Sequence, residues 1–272
     1  MFIDTHCHLN IMAKKEFDTL LLPEQFTIIQ QIVDQAKMSG VGAIVNVGTS
    51  LPESINSIEI AKKFQHVYAA VALHPCDCTD SWKKDFEEIK KLVIKKEENK
   101  IVAIGETGLD FYHKPFEKQR QQDAFKAQIE LALEFNLPLS FHVREAGDEF
   151  LKVLEEYVKE IKNGVIHCFS QKADFAKIVV DWGLFVGIDA PIGYPKNDWL
   201  REVVAGIPLD NIVLETDAPF LPPVEYRGKQ NSPVYLPLFA KIIADLKGIS
   251  LEELEKVTTM NAITLFDLPL SE

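Results

Sequence analysis

Asp4-Thr5-His6-Cys7-His8 follows directly on a short apolar stretch at the start of the chain. On a strand, side chains alternate between faces, so Asp4, His6 and His8 would share one side. Two imidazoles on one face of a rigid strand can reach a single cation, with the carboxylate behind them as orienter. Cys7 alternates away and is expected to face the core or a neighbouring helix. A lone His-x-His is more often a satisfied strand end than a metal site, so the rest of the chain must decide. It supplies His74, Glu106, His142, His167 and Asp217, each at the end of an apolar run. Singly, each has an ordinary reading: Glu106 caps a turn, His142 and His167 sit satisfied at the core's edge, and Asp217 starts a turn before Ala218-Pro219. Together they exceed what one tetrahedral ion requires and suit two cations. Imidazole and carboxylate donors fit zinc, manganese, iron, cobalt or nickel, with magnesium less natural for so many nitrogens. Glu106 has two oxygens and a middle place in the ligand series, so it could bridge a metal pair.

Residues so far apart in sequence meet only if the fold gathers them. Apolar, β-branched runs recur at Phe2–Asp4, Ala43–Val47, Val67–Leu73, Ile101–Glu106, Leu139–Val143, Val165–Phe169, Leu184–Ile188 and Ile212–Thr216. Most are continuous rather than alternating, as strands covered on both faces should be. Helix-like segments lie between them. Over residues 117–135, Phe125, Ile129 and Leu133 recur at helical spacing amid Lys, Gln and Glu, and Pro138 punctuates the entry to the next strand. Strand and helix repeated eight times is the pattern of a (β/α)8 TIM barrel, in which the C-terminal ends of all strands converge on one mouth. An open doubly wound sheet is the alternative, but no G-x-G-x-x-G or phosphate-loop glycine pattern follows a strand. No linker divides the chain, so residues 1–272 are expected to form one domain. The long segment Ala218–Pro233 lacks periodicity and carries Arg227-Gly228-Lys229; a loop of that length is usually functional.

Composition sets outer limits. The 272 residues are 47% hydrophobic and 26% charged, which reads as soluble and globular. Lys+Arg 29 against Asp+Glu 41 gives a net charge of −12, which repels nucleic acid at long range and argues against a sequence-reading DNA-binding module. Bound cations would reverse that sign at the mouth. Cys7, Cys76, Cys78 and Cys168 are too few for a disulfide scaffold, so reduced thiols in a cytoplasmic protein are expected. Cys76 and Cys78 with His74 lack a fourth ligand at zinc-finger spacing. Asp4 and His6 interrupt any signal-like apolar stretch, and no uncharged run approaches a membrane span, so no membrane partner is expected.

With these residues in view, the chain resembles the TatD family of metal-dependent hydrolases, a branch of the amidohydrolase-like barrels. The resemblance spans nearly the whole chain, through Asp4-Thr5-His6-Cys7-His8, Leu73-His74-Pro75, Ile104-Gly105-Glu106-Thr107-Gly108-Leu109-Asp110, Phe141-His142-Val143-Arg144, Ile166-His167-Cys168-Phe169-Ser170 and Leu214-Glu215-Thr216-Asp217-Ala218-Pro219. It implies a barrel with two divalent metals (Zn, Mn, Mg, Ni, Co or Fe) and deoxyribonuclease activity of the 3′–5′ exonuclease type. By the same resemblance, His6, His8 and Asp217 bind the first metal, His142 and His167 complete the second, and Glu106 bridges. His74, Arg144 and Glu215 would line the substrate phosphate or its shell. Two departures stand out: Gln171 where a glycine often follows His-Cys-Phe-Ser, and Asp189-Ala190-Pro191 in place of small polar residues. Both bear on substrate preference more than on metal binding.

The expected reaction is hydrolysis of DNA or another phosphodiester. Asp217 is the candidate for orienting or deprotonating the attacking water, and His74 or Arg144 would donate to a non-bridging oxygen. Arg227 and Lys229 would position a polyanionic substrate. The same centre could instead hydrolyse an ester or amide, such as a D-aminoacyl ester on tRNA, because barrels host many chemistries. A binding module with a structural metal fits poorly with the acidic balance and the surplus of ligands.

Overall fold

Val, Ile, Ala and Phe dominate the expected strand runs, and residues of that kind suit a parallel sheet buried on both faces. The computed structural model describes residues 1–270. Its strands are β1 (Phe2–Cys7), β2 (Val41–Gly48), β3 (Val67–Val71), β4 (Ile101–Asp110), β5 (Leu139–Arg144), β6 (Gly164–Ile166), β7 (Phe185–Ile188) and β8 (Ile212–Leu214). They lie in sequence order, each parallel to the next. The ring closes at its upper end, where Cys7 bridges to Ala218. There Asp217 N donates to the His6 carbonyl at 2.9 Å and His8 N to the Ala218 carbonyl at 2.8 Å. This is a (β/α)8 TIM barrel, and its closing bonds are made by residues of the expected site.

The helices are α1 (Leu9–Lys14), α2 (Gln25–Met38), α3 (Leu51–Lys63), α4 (Trp82–Val93), α5 (Lys118–Phe135), α6 (Gly147–Glu155), α7 (Ala173–Asp181), α8 (Asp198–Gly206), α9 (Leu236–Lys247) and α10 (Leu251–Phe266). In α5 the periodic stripe is buried at Phe125 and Ile129, with Leu133 packed partly against the core. The Glu117 carboxylate caps its start by accepting from Arg120 N at 3.0 Å, and Asn136 ends it in the left-handed conformation.

Strand ends differ from the apolar runs. β4 continues past Glu106 to Asp110, and its register with β5 shifts between Gly105 and Thr107. β3, β6 and β8 stop short, leaving His74, His167 and Asp217 on the loops just beyond. Leu73, Phe169 and Thr216 are nonetheless buried, so apolar character here reports burial, which outlasts sheet pairing. At Gly108 the close approach of β5 requires glycine, since a Cβ would meet the His142 carbonyl oxygen at 2.0 Å and φ is +149°.

Two apolar layers hold the barrel. The outer one lies between strands and helices and includes Ile29, Ile60, Phe125, Phe141, Phe150 and Phe239. The inner one draws Ile3, Val45, Tyr68, Ala103, Val165, Phe185 and Val213 from seven strands onto Leu265 and Phe266 of α10, which plugs the lower end. The segment 218–233 contains a short 3₁₀ turn and is tied back by the fully buried Asn231, whose amide donates to the carbonyls of Thr216 and Phe220, both at 2.7 Å. Among the described residues no helix is long and apolar enough to cross a membrane.

Candidate metal centre

The upper mouth gathers the expected residues around one carboxylate. Glu106 Oε2 lies 3.4 Å from His6 Nε2 and 4.0 Å from His8 Nε2. Its Oε1 lies 2.6 Å from both His142 Nδ1 and His167 Nε2, and 3.4 Å from His74 Nε2. Asp217 Oδ1 stands 3.4 Å from His8 Nε2 and 3.9 Å from His6 Nε2. The His6 and His167 rings stack at 4.0 Å, joining the two groups. His6, His8 and Glu106 form one set of converging ligand atoms, and His74, Glu106 and His142 another.

Hydrogen bonds behind the rings decide which nitrogens face inward. His8 Nδ1 lies 3.0 Å from the Val47 carbonyl, which can only accept, so Nδ1 carries the proton and Nε2 turns its lone pair to the centre. His142 Nε2 likewise lies 3.0 Å from Asp110 Oδ2, leaving Nδ1 to face Glu106. An imidazole lone pair and a carboxylate oxygen at 2.6 Å repel unless a proton or a cation lies between them. Burial works against charge on His167, but Glu106 and Glu215 outweigh it and raise its pKa well above the usual range. Burial is likewise overcome at His8 by Asp217, and at His142 by Asp110 and Glu106, so both are raised. Burial favours the neutral acid at Glu106, yet His167 and His74 hold it well below the carboxylate range. Asp217 is also lowered against burial, through His8. Burial lowers His6 and His74, each helped by a neighbouring imidazole. The donor set therefore fits divalent cations: inward lone pairs, ionised carboxylates, and a demand for positive charge that protons otherwise meet.

Further carboxylates support this ring. Asp110 is fully buried; its Oδ2 faces His142 Nε2 and accepts from His113 Nδ1 at 2.8 Å, while Oδ1 accepts from Tyr112 N and His113 N. Burial opposes its charge, but His142 and His113 hold its pKa far down. Glu215, expected to line the substrate phosphate or its shell, is fully buried behind His167, with Oε1 3.7 Å from His167 Nδ1 and accepting from Cys168 N. Gly187 makes room for it, since a Cβ there would come within 2.3 Å of Glu215 Oε2. Asp4 does not orient the imidazoles either: its carboxylate accepts from Thr216 N at 2.9 Å and Thr216 Oγ1 at 2.6 Å, across the β8–β1 seam. Burial lifts its pKa to about 7. Asp4 parts from His6 because the register against β2 shifts between Asp4 and Cys7, which breaks simple alternation. Cys7 is buried against Met12 of α1, as expected.

A cleft of about 600 Å³ opens over the ring, lined by His8, His74, Glu106, His142, His167 and Asp217 and extending to Arg144. His74 Nδ1 accepts from Cys76 N at 3.1 Å, so in the neutral ring the proton sits on Nε2. Arg144, at the end of β5, places its guanidinium 4.3 Å over the Tyr112 ring. Arg227 and Lys229 do not line this cleft; they lie over the Tyr194 and Tyr226 rings at 5.1 and 5.7 Å. Gln171 and Asp189 are also outside it, bonded to the Val143 carbonyl and the Cys168 thiol.

A family model described as TatD related DNase matches residues 3–267. The chain belongs to this family of metal-dependent hydrolases. The uncharacterized metal-dependent hydrolase YabD of Bacillus subtilis (strain 168) is 36% identical over 266 residues, 98% of this chain and 99% of its own length. The 3′-5′ ssDNA/RNA exonuclease TatD of Klebsiella pneumoniae (strain 342) is 33% identical over 246 residues, covering 89% of this chain and 92% of its own. Among solved structures, that of YJJV, a TatD homolog from Escherichia coli K12, matches with a TM-score of 0.88 at 28% identity over 98% of both chains. Within this TatD-family barrel, sequence reasoning assigned no role to Asp110. The signal was a carboxylate four residues after Glu106, but only the pairing of β4 with β5 brings it behind His142.

Proposed function

We propose that this chain, acting as a single domain, hydrolyses phosphodiester bonds of nucleic acid, removing nucleotides from a 3′ end, with two divalent cations held by His6, His8 and Asp217 on one side and His142 and His167 on the other. One observation carries the reading: the two oxygens of Glu106 face different histidine pairs, Oε2 toward His6 and His8 and Oε1 toward His142 and His167. A carboxylate so divided is the natural bridge of a metal pair. The substrate class is supported by the family and by the exonuclease among its relatives.

When bound, the cations would acidify a water toward neutral pKa and neutralise charge developing on the phosphoryl oxygens. Asp217 borders the cleft beside His8 and is ionised, so it can orient the attacking water and take its proton. His74 stays neutral and holds a proton on Nε2, suited to donate to a non-bridging oxygen. Arg144 supplies a fixed positive charge at the open end of the cleft for an adjoining phosphate. Asp110 holds the His142 ring in place from behind, and Glu215 sets a carboxylate behind His167.

Metal analysis, chelation and end-labelled single-stranded oligonucleotides test the reading together. The expected result is two metal equivalents per chain and stepwise shortening from the 3′ end. Chelator should stop that shortening and a divalent cation should restore it. Turnover confined to esters or amides, or no cation-dependent cleavage of any oligonucleotide, would overturn it.

A further inference from the structure

The cleft has one aromatic edge that the chemistry above leaves unused. Phe17 and Phe220 are large apolar side chains, 57% and 39% exposed, and Phe220 packs edge-on against the His8 ring at 5.7 Å. Their ring planes are within 10° of parallel with centroids 6.5 Å apart. That is an offset arrangement, within the range of about 4.5–7 Å that paired aromatic rings adopt, and the exposure of both side chains leaves apolar ring surface open to solvent. Both line the cleft.

Neither ring is loosely placed. The segment bearing Phe17 is pinned by Glu53, fully buried, whose Oε1 accepts from Lys14 Nζ at 2.6 Å and from Asp18 N at 2.8 Å. Asn10 and Asn56 donate to its other oxygen, and Ser50 Oγ donates to Asp18 at 2.6 Å. A buried ion pair is costly to assemble even when fully hydrogen-bonded, and this one fixes a loop whose aromatic tip faces solvent. Phe220 N donates to the Asp217 carbonyl at 2.9 Å, and Asn231 holds the Phe220 carbonyl. Phe220 is therefore tied directly to Asp217, and the segment bearing Phe17 is fixed through Glu53.

We propose that the Phe17–Phe220 pair is a stacking site for one unpaired nucleobase next to the scissile phosphate, a proposal that rests on the nucleic-acid reading above. A nucleotide carries a flat aromatic system one sugar away from a hydrolysable phosphate, which matches an apolar ring, Phe220, 5.7 Å from the His8 ring and lying parallel to Phe17. Charge arithmetic points the same way. Arg144 is the one Lys or Arg among the described residues lining the cleft, in a protein of net charge −12. Protein–phosphate contacts there are few, so affinity must come from the cations and from a charge-independent source. Base–aromatic stacking is such a source and tolerates any base. A base held this way must first leave a duplex stack, so the site favours single strands and frayed ends.

The test uses metal-loaded protein and three probes: an oligonucleotide, the same oligonucleotide with an abasic residue walked through its terminal positions, and a hydrolysis-resistant phosphorothioate version carrying 2-aminopurine. Wild type should show a KM about tenfold higher when the abasic residue occupies one position beside the scissile bond. It should also quench 2-aminopurine placed at that position. Phe17→Ala with Phe220→Ala should raise KM on the intact oligonucleotide by a similar factor, erase the abasic difference and relieve the quench, while Phe220→Trp should retain both. Equal KM changes on intact and abasic substrates, or a quench that survives the double substitution, would overturn the stacking site while leaving the nuclease reading intact. Failure of wild type to cleave any oligonucleotide would overturn both.

Discussion

At the lower end of the barrel, Leu265, Phe266 and Leu268 close on Ile3, Val45, Val165 and Val213; at the upper end, His6, His8, His142, His167, Glu106 and Asp217 converge within one ring. The first set buries apolar surface and lowers the free energy of folding. The second buries carboxylates and imidazole lone pairs that need a positive charge between them, which a proton or a cation must supply. One end of the same strands supplies stability, and the other spends part of it on a preformed site. The two should respond to substitution in opposite ways.

Glu106→Ala is the largest test of the upper end. Hydrolysis should fall to background and bound metal should drop below the wild-type equivalents, as read by elemental analysis. Full turnover would take Glu106 out of the chemistry. At the lower end, Phe266→Ala should do the reverse. Truncating a side chain only 2% exposed costs about 3–5 kcal/mol, visible in denaturant unfolding, while specific activity per folded molecule stays at the wild-type level. A matching loss of metal would show that the two ends are coupled.

Asp110→Asn gives an intermediate effect. The amide preserves shape but removes the charge that fixes the His142 proton on Nε2, so metal affinity or activity should fall about 10–100-fold. Stability should fall as well, because Asp110 is fully buried and His142 and His113 hold its carboxyl ionised in the folded chain. An activity loss as complete as that of Glu106→Ala would promote Asp110 from positioning His142 to binding a cation itself.

The barrel was legible in the sequence because parallel strands covered on both faces leave continuous apolar runs, and eight of these recur with helices between them. Their ends were less so. Leu73, Phe169 and Thr216 extend the apolar signal beyond the paired strands, whereas Gly105-Glu106-Thr107-Gly108 hides the continuation of β4 to Asp110. All six expected metal-binding residues converge at the mouth, since their placement follows from topology alone. The roles of Asp4 and Glu215 did not follow, because each depends on which neighbour its carboxylate meets across the β8–β1 seam or behind a ring. The plug formed by α10 was equally hidden: its apolar residues read like those of any outer helix, and only closure of the barrel turns them inward.

Arg227 and Lys229 probe how far the upper end reaches, and theirs is the smallest expected effect. Both lie outside the cleft, and each head already rests over a tyrosine ring. Only a strand long enough to leave the cleft and cross the loop after β8 can meet them. Arg227→Ala with Lys229→Ala should therefore spare metal content and turnover of a dinucleotide. On a long oligonucleotide it should raise KM a few-fold at low salt. Removing one phosphate-neutralising side chain lowers the salt slope by about one unit, so the double variant should reduce it by at most about two. Equal losses on short and long substrates would draw these residues into the catalytic centre. An unchanged salt slope would confine substrate recognition to the cleft, with Arg144 as its cation and the two phenylalanines as its apolar edge.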